Sequence, residues 1–224
     1  MASSPIFSKE ALELVHILQK YSSQDISQLM SISTKLSDLN HQRFANFSTA
    51  EKKPAIYAYK GDVYEGLELG NYQNDDIEFA TNSLRIISGL YGILKPLDLI
   101  AAYRLEMSIN LPNNHGKNLY LFWKEKLTKK LNEESANFIV NLASKEYSSA
   151  IGKLNKPKID IIFKERYKDD YKIIGIHAKK ARGVMANFII KNKIDQASQL
   201  KDFNLNDYKF IPSFSTKDQY VFVR

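Results

Sequence analysis

The stretch SGLYGILKPLDLIAAYRLEM, residues 88–107, places two glycines around a leucine and a tyrosine, then a lysine and a proline, between two apolar runs. Upstream, Asn74 is a plausible cap for a helix reaching about Ser88, with Asp75, Asp76 and Glu78 in its positive first turn and Ile77, Ala80, Leu84 and Ile87 as its stripe. Gly89 then falls at the carboxyl cap, where it can adopt a left-handed conformation, and Gly92 adds a second permissive position. Pro96 suits the first turn of a following helix and biases Lys95 toward an extended shape. The expectation is helix, tight turn, helix. Free amides at the start of the second helix can hold a phosphate oxygen, with Lys95 adding charge; the alternative is a helix corner without a ligand.

The surrounding chain has 224 residues, 44% hydrophobic, enough to bury a core. No repeat, low-complexity tract or long linker divides it, so one domain spanning 1–224 is expected. Three amphipathic helices open the chain, starting near Ser8, Ser23 and Lys35. PAIYAY reads as a short strand leading into KGDVYEGL, a turn and short helix, and YRLEM reads as a strand. Leu119, Trp123, Leu127 and Leu131 align on a long helix between about 116 and 134. NFIVNLAS, KIDIIF and YKIIGIHA read as strands, residues 179–192 as a helix, and YKFIPSF with QYVFVR as a closing pair. Helices and strands mix without strict alternation, which predicts an α+β fold with a mixed sheet.

There is no cysteine, hence no disulfide framework or thiolate chemistry. No apolar run reaches the roughly 20 residues of a membrane span, and the amino terminus lacks a signal-peptide layout; a cytoplasmic location away from membranes is expected. His16, His41, His115 and His177 show no metal-ligand spacing, and neither a GxxxxGK[ST] loop nor a GxGxxG fingerprint occurs, so no metal or cofactor is expected. The net charge is +7. Residues 1–150 hold 16 Lys and Arg against 17 Asp and Glu, and residues 151–224 hold 16 against 8. This local excess either favours phosphate-bearing partners or is a solvated surface.

AYKGDVYEGL (58–67), LRIISGLYGILKPLDLIAAYRLEM (84–107), NLYLFW (118–123), NLASKEY (141–147) and HAKKARGVMANFII (177–190) closely resemble, in matching order, the YaaA peroxide-stress proteins of bacteria. The resemblance implies a protein that helps cells withstand hydrogen peroxide and binds DNA through a basic cleft and a helix-hairpin-helix, on the α+β architecture called the cantaloupe fold. It also implies that the family's amino-terminal strand and loop are missing here. Carried over residue by residue, the DNA-contact candidates are Gly89, Tyr91, Gly92 and Lys95 in the hairpin and Lys179, Lys180 and Arg182 in AKKARG. Tyr91 either stacks on a base or sugar or packs in the turn. On the AKKARG helix Lys180 and Lys191 flank the apolar stripe on one side and Arg182 and Lys193 on the other. A second class of function is an enzyme on damaged nucleic acid or a nucleotide. Its candidates are Lys60 with Asp62 at a strand end and Arg104 with Glu106 on one strand face, Lys60 acting as nucleophile toward an abasic sugar.

Overall fold

Strong local signals punctuate the first helices. Ser22 and Asp25 form a capping box, the Ser22 hydroxyl accepting from the Asp25 amide at 3.1 Å and the Asp25 carboxylate from the Ser22 amide at 2.9 Å. The computed structural model describes residues 2–224. In chain order its helices and strands are α1 (Ser8–Leu18), α2 (Ser23–Met30), α3 (Thr34–Ala45), β1 (Lys52–Pro54), α4 (Ala55–Ala58), α5 (Asp62–Glu65), α6 (Asn74–Ser83), β2 (Ile86–Ser88), β3 (Gly92–Leu94) and β4 (Leu99–Ala101). Then come α7 (Leu119–Glu133), β5 (Ile139–Asn141), α8 (Lys145–Ser148), β6 (Lys158–Tyr167), β7 (Asp170–Lys172), α9 (Gly175–Lys191), β8 (Lys209–Phe210) and β9 (Gln219–Val223).

These elements form two compact units. The first comprises residues up to Ala58 with Leu84–Glu133 and Lys145–Lys153, and the second Tyr59–Ser83, Glu134–Ser144 and Leu154–Arg224. In the first, Leu14, Val15, Leu18, Ile26 and Phe44 from α1–α3, Leu90 and Leu94 from the 84–107 stretch, and Phe122, Trp123 and Leu127 from α7 are buried. Two short antiparallel pairs, β1 with β4 and β2 with β3, supply its strands.

The second unit is built on a five-stranded mixed sheet in the order β5-β6-β9-β8, with β7 pairing β6. β5 and β9 run parallel to β6, while β7 is antiparallel to β6 and β8 to β9. KIDIIF sits centrally because its alternation suits a sheet covered on one face: Ile159, Ile161 and Phe163 point into a core that Ala178, Ala181, Val184 and Met185 of α9 complete. The expected α+β class with a mixed sheet is therefore present. Among the described residues no helix is long and apolar enough to cross a membrane.

Several local expectations give way to tertiary demands. PAIYAY is helix α4 rather than a strand, because Pro54 ends β1 and pre-sets a first helical turn. The amides of Ala55 and Ile56 then donate to the Asp98 and Pro96 carbonyls. YRLEM is not in a strand, since β1, the partner of β4, has only three residues to offer. YKIIGIHA splits into β7 and the start of α9, since only Glu165, Arg166 and Tyr167 of β6 pair with it.

Candidate functional site

In the first unit the 88–97 stretch is a β-hairpin, not the expected helix, turn and helix. Helix α6 stops at Ser83, and Ile86, Ile87 and Ser88 pair with Leu94, Ile93 and Gly92. A short apolar run buried on both faces has no period by which helix and strand can be told apart. The Ser88 hydroxyl accepts from the amides of Leu90 (3.2 Å) and Tyr91 (2.8 Å), so those donors are spoken for within the turn. Gly92 is left-handed at φ +71°, and a Cβ there would lie 2.7 Å from the Trp123 ring. A Cβ on Gly89 would lie 2.2 Å from the Leu105 carbonyl, and the Gly89 carbonyl accepts from the Trp123 indole at 2.8 Å. Tyr91 is only 4% exposed, packed by Phe47 and Tyr103, and its hydroxyl accepts from the Ala101 amide at 3.0 Å. Of the two roles open to Tyr91, packing is the one it fills, and no ring face is offered to a base. Pro96 does not start a helix. It lies in a turn closed by the Lys95 amide donating to the buried Asp98 carboxylate at 2.8 Å, and Lys95 alone of the four candidates is exposed.

In the second unit the AKKARG motif lies on α9. A Cβ on Gly183 would be 1.9 Å from the Val63 carbonyl oxygen, and one on Gly66 would be 2.7 Å from the Lys180 carbonyl oxygen. The backbones of α5 and α9 thus touch, and two glycines make that approach possible. Lys179 and Lys180 are exposed on α9. Arg182 is half-buried; its Nε donates to the Ala178 carbonyl at 3.0 Å, and burial holds its guanidinium below the ordinary value. No carboxylate pairs with Lys179, Lys180 or Arg182 among the described residues.

Lys191 and Lys193, by contrast, are taken. Both bond the Asp76 carboxylate, which is 5% exposed, Lys191 at 2.7 Å. Hydrogen bonds from Lys191, then from Lys193 and the Gln73 amide, hold that carboxyl well below the usual carboxylate range. This pairing changes the meaning of the charge map. The acidic 62–78 segment belongs to the same unit as the basic carboxyl-terminal third, so the second unit carries 16 Lys and Arg against 15 Asp and Glu. The first unit carries 16 against 10, and the net excess resides there.

The enzyme candidates fall in different units. Lys60 and Asp62 flank Gly61, which is at φ +114° in open space, and they form no ion pair among the described residues. Tyr59 and Tyr64 stack beside them at 5.1 Å. Arg104 and Glu106 belong to the first unit and pair at 2.6 Å, leaving Glu106 Oε2 buried with no partner among the described residues. No group of three potential metal ligands occurs among the described residues.

One constellation went unread in the sequence. Glu165 Oε1 accepts from the Tyr208 hydroxyl (2.9 Å) and Arg224 (2.9 Å) and lies 2.7 Å from His177 Nδ1, bringing the first turn of α9, β6 and Arg224 together. Burial raises the Glu165 pKa, but the Tyr208 and Arg224 hydrogen bonds together with the neighbouring Arg224 and His177 charges outweigh it, and the net shift is downward. Burial and the Glu165 carboxylate push the Tyr208 hydroxyl up. A signal existed: residue 165 continues the inward parity of 159, 161 and 163, and an inward carboxylate requires donors.

Comparison with known proteins adds the following. A family described as peroxide stress protein YaaA matches residues 1–214. A UPF0246 protein of Crocosphaera subtropica is 48% identical over 228 residues, covering 99% of this chain and 91% of its own. UPF0246 proteins of Acaryochloris marina and Francisella tularensis are 47% and 43% identical, covering 98% and 99% of this chain and 90% and 91% of theirs. The match starts at residue 1, and the expectation of a missing amino-terminal segment is not borne out by it.

Proposed function

Because the chain belongs to the peroxide stress protein YaaA family, we propose that it is a cytoplasmic DNA-binding protein of the hydrogen peroxide response, built on the cantaloupe fold. It grips the phosphate backbone without reading sequence, through Lys179, Lys180 and Arg182, with Lys95 as a further contact. The observation that carries this reading is Arg182. A cation drawn partly out of water is ordinarily paired, yet this half-buried guanidinium has only its own helix's carbonyl and no carboxylate among the described residues. An anionic ligand supplies the missing partner, and a planar fork of donors suits a phosphate. The two exposed lysines of the same motif add counterion release. Gly89, Tyr91 and Gly92 serve this function indirectly, by packing the first unit.

The test is affinity for a labelled duplex against salt. Affinity should be nearly independent of base sequence and fall steeply between about 50 and 200 mM salt. Replacing Lys179, Lys180 and Arg182 by glutamine should flatten the log-log slope by up to about 2.7, roughly 0.9 for each phosphate no longer neutralised. An unchanged slope with the fold intact removes this helix from the interface.

A second reading, an enzyme on damaged nucleic acid or a nucleotide, is favoured by one observation. The unpartnered, buried oxygen of Glu106 beside Arg104 is a carboxylate atom awaiting a donor. Covalent change in an abasic duplex, trapped by borohydride and abolished by Lys60→Arg, would establish it.

A further inference from the structure

β9 pairs β6 as far as Lys164, and the Arg166 amide still donates to the Arg224 carbonyl at 2.8 Å; beyond it the end of β6 runs on with β7 as a short two-stranded ribbon, closed by Lys168 (φ +57°) and Asp169. The ribbon carries Tyr167 near its tip, 48% exposed. Ile173 and Ile176, where it passes into α9, are 58% and 61% exposed, against the near-complete burial of Ile159, Ile161 and Phe163 earlier in β6. Large aliphatic and aromatic side chains left this open within ten residues mark a contact surface.

The charge around them selects the partner. Arg166, Lys168 and Lys172 lie on the ribbon and Lys179 and Lys180 on the first turns of α9, all exposed, against Asp169 and Asp170 at the turn. Two ammonium groups approach the Tyr167 ring, Lys172 at 4.3 Å and Lys168 at 6.0 Å from its centroid. The ring holds these ammonium groups over it, and a base stacking there displaces them onto its flanking phosphates. A two-stranded ribbon has the width of a DNA groove, and exposed apolar side chains at such a ribbon are the means by which groove-binding proteins open a base step.

We propose that this ribbon is an arm that enters a DNA groove and stacks Tyr167 on a base step opened there, with Ile173 and Ile176 covering the exposed sugar and base edges. The inference rests on the DNA-binding reading above and adds to it a direct contact with bases that is made by shape and stacking, not by hydrogen-bond readout.

The experiment uses the full chain, its Tyr167→Ser and Tyr167→Phe variants, and two duplexes, one matched and one with an unpaired 2-aminopurine. The expected result is that Tyr167→Ser binds the unpaired-base duplex about tenfold more weakly than the wild type, that Tyr167→Phe binds as the wild type does, and that all three share one salt slope. The 2-aminopurine emission should change on binding the wild type and not on binding Tyr167→Ser. Equal affinities and emission across the three proteins overturn the arm while leaving the DNA-binding reading intact. Absence of wild-type binding to either duplex overturns both. A third arm uses phosphatidylglycerol vesicles: if Ile173→Ser with Ile176→Ser abolishes vesicle binding and leaves DNA affinity untouched, the patch is a lipid contact and the proposal is wrong.

Discussion

Replacing Gly183 by alanine should destabilise the protein, although alanine is the better helix former. The new Cβ would sit 1.9 Å from the Val63 carbonyl oxygen, 2.8 Å from its carbon and 3.0 Å from the Gly66 Cα. Bringing the first contact to 3.0 Å requires α5 and α9 to separate by about 1.1 Å along that line, and both colliding groups are backbone, with no rotamer to turn away. Overpacking of this kind costs about 1–3 kcal/mol, and backbone against backbone belongs at the upper end. The helix-propensity gain of about 0.8–1 kcal/mol offsets part of it. The net is about 1–2 kcal/mol, or a fall in Tm of about 2–8 °C at this chain length. Gly175→Ala, in the first turn of the same helix, meets nothing within 4 Å and should instead raise stability by about 0.4–1 kcal/mol. Differential scanning calorimetry of the two variants decides the matter. A Tm for Gly183→Ala within about 1 °C of the wild type, or a fall for Gly175→Ala as well, would refute the close-approach account of this helix pair.

Four further outcomes follow from the geometry. Tyr91→Phe strands the Ala101 amide in the core and should cost about 1–3 kcal/mol in urea denaturation, with the m-value unchanged. Lys95→Gln should leave Tm unaltered, because the turn is held by its backbone amide on Asp98, while weakening duplex binding if Lys95 touches phosphate; Gly92→Val, which drives a side chain into Trp123, should melt the fold whatever the turn binds. Asp76 has a folded pKa below its unfolded value, so it contributes stability that is fully present above about pH 4 and is lost only as pH falls through the depressed folded value. Asp76→Asn should therefore lower Tm at neutral pH and shrink that difference in strong acid, as measured by thermal melts across the acid range.

How far the chain could be read without its fold depends on the range of the interaction. The three opening helices, α7 and α9 declare themselves by apolar spacing, and the alternation of Ile159, Ile161 and Phe163 announces a half-covered strand, because a period of 3.6 or 2 is a property of neighbouring residues. Lys179 and Lys180 are legible in the same way, as exposed positions on a helix whose stripe is apolar. The glycines of SGLYG are legible as obligatory but not in their purpose: the sequence alone shows that a turn is needed, and only the packing of Trp123 and Leu105 shows that the close approach is made by a β-hairpin to its own core. Charge is the clearest case of tertiary decision. The basic carboxyl-terminal third appears as free positive field until Asp76 meets Lys191 and Lys193, 115 and 117 residues away, and the acidic 62–78 segment brings the second unit near neutrality. An ion pair forms between side chains that the fold makes neighbours, and nothing in the local spacing of either partner encodes the other; that is why Lys191 and Lys193, which flank the same stripe, could be told apart from the cations of AKKARG only once the chain was folded.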